Sequence, residues 1–96
     1  MYARVSTLQV PMDRVGDPAK LFKEQVIPNL KQMRGFQRAY LLADKKTGKR
    51  YGVFLFDTED NLKASAQPAS ELRSKATESM GLRFSSIEEM EVIAES

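Results

Sequence analysis

Apolar and polar positions along this chain alternate with the two-residue period of a strand in several short runs, and with a period of about 3.6 in the stretches between them. Tyr2 to Gln9 reads as a strand, with Ala3, Val5 and Thr7 on one face and Tyr2, Arg4, Ser6 and Leu8 on the other. Pro11 is expected to end it. Asp17-Pro18 then predicts a helix start, because an aspartate can cap free backbone N–H groups and proline suits the first helical position. The helix is expected to run to about Arg34. Its apolar residues Ala19, Phe22, Val26, Leu30 and Met33 recur at intervals of three and four, while Lys20, Lys23, Glu24 and Lys31 point elsewhere. Pro28 removes one N–H donor and crowds the preceding turn, so a kink or break is expected near Val26 and Ile27, and Gly35 supplies a left-handed stop.

Phe36 to Asp44 and Lys49 to Asp57 form the clearest unit, a β-hairpin joined by Lys45-Lys46-Thr47-Gly48 with glycine where such a loop wants positive φ. If Asp44 faces Lys49, then Leu42 meets Tyr51, Tyr40 meets Val53 and Arg38 meets Leu55 on one side of the sheet. The other side holds Ala39, Leu41 and Ala43 with Gly52, Phe54 and Phe56. Asp57 or Thr58 caps a short helix through about Ser65, and Pro68 separates it from a longer one, Ala69 to Met80, closed by Gly81. Leu62, Ala66, Leu72, Ala76 and Met80 are its expected inward residues. Arg83 to Ala94 reads as a last strand, with Phe84, Met90 and Val92 on one face and Ile87 and Ile93 on the other; Glu88-Glu89 is poor strand material, suited to a bulge or an edge.

The order is β-α-β-β-α-β, so the expected fold is α+β and ferredoxin-like: one antiparallel sheet with both helices on a single face. The other face is then expected to carry Tyr2, Arg4, Leu8, Phe36, Arg38, Tyr40, Leu42, Tyr51, Val53 and Leu55, which is too apolar to leave in water. A second copy of the chain is the simplest cover, and a chain of 96 residues has reason to seek one because small domains bury a modest fraction of their surface alone.

Several segments match a known pattern. They are Tyr2-Ala3-Arg4-Val5, Pro28 through Gly35-Phe36 leading to Ala39-Tyr40-Leu41-Leu42, the Asp44-x-x-Thr47-Gly48 turn, Asp57-Thr58-Glu59 followed by Leu62-Lys63-Ala64-Ser65, and Glu91-Val92. On these the whole chain resembles the dimeric α/β-barrel superfamily, in particular the small antibiotic-biosynthesis-monooxygenase-like (ABM) domains. The resemblance implies a homodimer whose sheets face each other and a small-molecule pocket between helices and sheet. Some members oxidise polycyclic aromatic substrates with molecular oxygen and no metal or flavin, and others degrade haem, using asparagine, tryptophan, histidine or arginine side chains. This sequence has no tryptophan or histidine, and its asparagines, Asn29 and Asn61, fall on expected helices, so neither catalytic set carries over.

Composition narrows the chemistry further. The chain reads as one domain over residues 1–96, and the absence of cysteine and histidine removes disulfides, thiolate and imidazole metal sites, and the commonest general base. No cofactor or metal is expected. No leader or membrane-spanning run is apparent, which makes cytoplasm the expected location. Net charge is +2 with the two signs interleaved, so the cluster Lys45, Lys46, Lys49 and Arg50 reads as a solvated hairpin tip rather than a nucleic-acid surface.

The candidate ligand-binding residues are Arg4, Arg38, Tyr40, Tyr51, Phe22, Phe54 and Phe56. A buried Arg4 needs a partner, which Glu88 or Glu91 of the last strand could supply; an anionic ligand is the alternative. Arg38, Tyr40 and Tyr51 could hold a phenolate or carboxylate, or could simply be amphipathic interface residues. Phe22, Met33, Phe54 and Phe56 could wall an aromatic pocket or form ordinary core. The functional expectation is a homodimer binding a small apolar or aromatic molecule, with cofactor-independent oxygenation of a phenol or quinol as the alternative.

Overall fold

The strands form where the alternation places them. In a computed structural model that describes residues 1–10 and 18–96, β1 (Tyr2–Gln9), β2 (Phe36–Ala43), β3 (Lys49–Phe56) and β4 (Arg83–Glu91) make one antiparallel sheet in the order β2-β3-β1-β4. Helices α1 (Pro18–Leu21), α2 (Ile27–Lys31), α3 (Glu59–Ala64) and α4 (Ala66–Met80) lie on one face of it. The protein is therefore α+β, a single-layer sheet covered on one side. The expected strand stop at Pro11 and the cap by Asp17 lie outside the described residues.

Between α1 and α2 the chain is a π-helical turn, Phe22–Val26. Pro28 follows immediately inside α2, and a widened turn is a standard way to absorb the missing donor and the ring's bulk. The expected break near Val26 and Ile27 thus takes the form of a π segment. Helix α2 ends at Lys31, a little before Arg34, and Gly35 turns the chain at φ 78°.

The hairpin pairs Leu42 with Tyr51, Tyr40 with Val53 and Arg38 with Leu55, in the register set by its loop. Asp44 organises that loop: its carbonyl accepts from Gly48 N at 3.0 Å and its Oδ1 from Lys46 N at 3.0 Å. Arg50 departs from the expected basic tip. It is buried on the helix side, with Nη1 donating to the Lys49 carbonyl at 3.2 Å.

Thr58 caps α3, its Oγ1 accepting from Asn61 N at 3.1 Å, and Gly81 closes α4 in the left-handed conformation at φ 67°. Pro68 falls in the first turn of α4, where its missing N–H costs no helical bond, so it marks the start of that helix and does not separate it from a linker. Ala69, not Ala66, is the buried alanine of the first turns.

Facing is where the structure departs most from the pattern. Tyr2, Arg4 and Leu8, expected on the uncovered face, share the helix side with Ser6, as the pairing of Arg4 with Phe54 and of Ser6 with Gly52 requires. Phe36 also belongs there. A bulge at residue 37 shifts it out of phase with Arg38, and its ring meets Phe56 edge-on with centroids 5.8 Å apart. In the edge strand β4 the bulge falls at residue 85, between the partners of Thr7 and Leu8, and not at Glu88-Glu89. It puts Phe84 and Ile87 on one side and Met90 on the other. The uncovered face keeps Arg38, Tyr40, Leu42, Tyr51, Val53 and Leu55, joined by Ala3, Val5 and Met90.

Candidate functional site: a cavity between helices and sheet

A cavity of about 70 Å³, partly open to solvent, lies between the sheet and the helices. Leu8, Leu41 and Phe54 of the sheet, Phe22 and Leu30 of the first helical segment, and Leu72 of α4 supply its apolar wall. Phe22 and Phe54 stand with ring centroids 6.0 Å apart at 42°. Gly52 is part of this arrangement, because a Cβ there would sit 2.9 Å from the Phe54 ring, which folds back over it. Glycine inside a strand often marks such a close approach. The π turn contributes Phe22 and Val26 to the same wall.

Three polar side chains reach the cavity: Arg4, Ser6 and Arg73. Arg4 is 2% exposed and makes three hydrogen bonds through its two terminal nitrogens. Its Nη1 donates to Ser65 Oγ at 2.9 Å, and its Nη2 to the Leu62 carbonyl at 2.9 Å and to Glu89 Oε2 at 2.8 Å. The guanidinium thereby serves the C-terminal end of α3, adding a charged donor to a carbonyl that also accepts from Ser65, at the end where the helix dipole favours positive charge. This is the structural ion pair expected of Arg4, but the partner is Glu89. The antiparallel register with the bulge at residue 85 sets Glu89, not Glu88 or Glu91, directly beside Arg4.

Ser6 is also 2% exposed, and its Oγ has no hydrogen-bond partner among the described residues. A buried hydroxyl in that condition is destabilising, by about 1 kcal/mol or more. Ser6→Ala is therefore expected to raise stability by about 1 kcal/mol, read as a rise of roughly 4–8 °C in melting temperature. A fall would mean that Ser6 has a partner in the folded protein.

Arg73 makes no hydrogen bond or ion pair among the described residues. Burial, and next the Arg4 guanidinium, push its guanidinium below the ordinary arginine range, with Glu89 opposing them. It remains charged at any physiological pH, so the shift describes how poorly its charge is compensated.

Of the sequence candidates, the structure brings Arg4, Phe22 and Phe54 to the cavity. Phe56 does not line it: it is 0% exposed, packed against Phe36 as core. Arg38, Tyr40 and Tyr51 stand on the opposite, uncovered face of the sheet, where Arg38 Nη1 lies 3.5 Å from Tyr40 Oη. The sequence reading missed Ser6 and Arg73. A serine within a strand carries no signal, but Ala69, Leu72, Arg73, Ala76 and Met80 follow one helical stripe, and an arginine within that stripe was a legible sign.

Among the described residues no cluster of carboxylates could hold a metal ion, and no helix is long and apolar enough to cross a membrane. No family model matches the chain. Two curated relatives are uncharacterized proteins of Mycobacterium tuberculosis (strain ATCC 25618 / H37Rv). Rv2558 is 29% identical over 90 residues, covering 93% of this chain and 38% of its own length. Rv2557 is 26% identical over 78 residues, covering 81% of this chain and 35% of its own. The chain thus spans well under half the length of the curated relatives it matches, and those similarities carry the sequence pattern without an activity.

Proposed function

We propose that this chain is an ABM-like domain of ferredoxin-like topology that forms a homodimeric α/β barrel and binds a small apolar or aromatic molecule between its helices and its sheet. The cavity walled by Phe22, Phe54, Leu41 and Leu72 is the observation that supports this reading most directly. A concave apolar wall with few convergent polar groups is the usual form of a small-molecule site. The β2-β3-β1-β4 order is the one a split β-α-β arrangement produces.

The dimer reading rests on the uncovered face. Tyr40, Leu42 and Met90 are 45%, 51% and 47% exposed there, beside the half-buried Val53 and Leu55. Four strands of about eight residues present a flat footprint of roughly 500 Å². That is toward the small end of specific interfaces, whose standard size is ~800 Å² per partner.

Binding without transformation fits the wall better than oxygenation. A phenol entering the cavity would meet two guanidinium groups and a hydroxyl that favour its anion, but no carboxylate, imidazole or phenol among the described lining residues to take its proton. Arg38, one of the two arginines through which an oxygenase would act, is on the other face.

Amide NMR of the purified protein tests both parts. Toluene is expected to shift resonances of the cavity wall in the wild type and not in Ala76→Leu, which fills the cavity, while relaxation rates report a particle near twice 10.9 kDa. Shifts absent from the wall, or a monomer's relaxation, would overturn the corresponding half.

A further inference from the structure

We propose that the molecule bound in this cavity is an apolar carboxylic acid, its carboxylate held by the Arg73 guanidinium and the Ser6 hydroxyl while its hydrocarbon body lies against the wall that Phe22 and Phe54 form together. The inference rests on the reading of the cavity as a binding site and goes further by naming the ligand's charged end.

Charge bookkeeping around the cavity leads to this choice. Arg4 is neutralised by Glu89 at 2.8 Å and also donates to Ser65 and the Leu62 carbonyl, so it contributes little uncompensated charge. Arg73 lines the same cavity with no ion pair among the described residues; Glu89, which acts on it at longer range, is already paired with Arg4, and no carboxylate is among the described lining residues. The site therefore holds one uncompensated positive charge against an apolar wall. Ser6 adds an independent sign, a buried hydroxyl with no hydrogen-bond partner among the described residues. A fork of guanidinium N–H donors and one O–H donor lining the same cavity match a group with two acceptor oxygens and one negative charge. Neither an amine nor a neutral hydrocarbon would satisfy them. The lowered proton affinity of Arg73, caused chiefly by burial and by Arg4, agrees with a site that gains by admitting an anion. Phosphate esters fit less well, because a second negative charge would have only Glu89-paired Arg4 to meet it.

The test uses matched acids and amides, benzoate with benzamide and hexanoate with hexanamide, titrated into the full chain and followed by amide NMR. Each acid is expected to bind about tenfold more tightly than its amide, the effect of one charge-assisted pair in a partly buried site. Arg73→Gln is expected to erase that preference and leave amide binding within about twofold, whereas Arg73→Lys retains most of it. Ser6→Ala is expected to weaken acid binding a fewfold while raising the melting temperature of the free protein, a combination a purely structural serine would not give. Equal binding of acid and amide, unmoved by Arg73→Gln, would overturn the carboxylate inference and leave the cavity reading standing. Failure of both acids and both amides to shift the cavity wall would overturn the two together.

Discussion

Gly35→Ala is expected to cost about 2–4 kcal/mol and to lower the melting temperature by roughly 10–25 °C. Two separate effects combine there. Gly35 has φ 78°, a conformation in which a side chain costs about 1–2 kcal/mol. Its missing Cβ also faces an occupied space. A Cβ would overlap Asp57 Oδ1 and stand 2.5 Å from Asn61 Nδ2 and 2.9 Å from Asn61 Cβ. Those two residues cannot simply turn away. Asn61 Nδ2 donates to Asp57 Oδ1 at 2.8 Å, and Asp57 N donates to the Gly35 carbonyl at 2.9 Å. The glycine is thus the point where the loop leading into β2 is stitched to the turn between β3 and α3. Thermal and denaturant unfolding measure the loss. A double-mutant cycle separates its causes, since Asn61→Ala frees Asp57 and should make Gly35→Ala less costly in that background than in the wild type. A loss below about 1 kcal/mol would show that the junction adjusts without strain.

Parts of this fold were legible because a local feature settled each one. Gly48 and the loop length fixed the hairpin, and the pairs Leu42 with Tyr51 and Tyr40 with Val53 followed without further information. Thr58 and Gly81 marked helix ends for the same reason. What alternation could not settle was which face a central strand turns to the helices. In β1 both sets carry apolar residues, Ala3 and Val5 against Tyr2 and Leu8, and the polar members Arg4 and Ser6 point inward. Arg4 belongs inside because the end of α3 and Glu89 give it partners, and those partners lie 58 and 85 positions away in sequence. Single-residue bulges at 37 and 85 were equally invisible, and each reversed part of a strand. The site suffered in proportion. The aromatic wall of Phe22 and Phe54 follows from period alone, whereas Ser6 acquires meaning only once β1 is turned the right way.

Glu89→Ala is expected to destabilise the protein by about 2–3 kcal/mol, and a second substitution, Arg4→Met, is expected to restore part of that loss. The reversal follows from unequal burial of the partners: the Arg4 side chain is 2% exposed and that of Glu89 39%. Removing the carboxylate leaves a buried cation with two neutral acceptors, whereas removing the cation leaves a carboxylate that water already reaches. The groups Arg4 would abandon are largely provided for, since Ser65 Oγ already donates to the Leu62 carbonyl at 2.6 Å. Methionine fills much of the space of the arginine stem, so Arg4→Met alone should change stability by about 1 kcal/mol or less, and the double variant should be more stable than Glu89→Ala. Denaturant unfolding of the set measures this; a double variant less stable than Glu89→Ala would mean that Arg4 holds the sheet to α3 through packing more than through charge. The same substitution reaches the cavity. Freed from Glu89, Arg4 becomes a second uncompensated cation beside Arg73, so Glu89→Ala should bind benzoate more tightly than the wild type while losing stability. In the native protein, Glu89 therefore acts on the cavity from a distance: it neutralises Arg4 for the sake of the fold and leaves Arg73 as the charge available to a ligand.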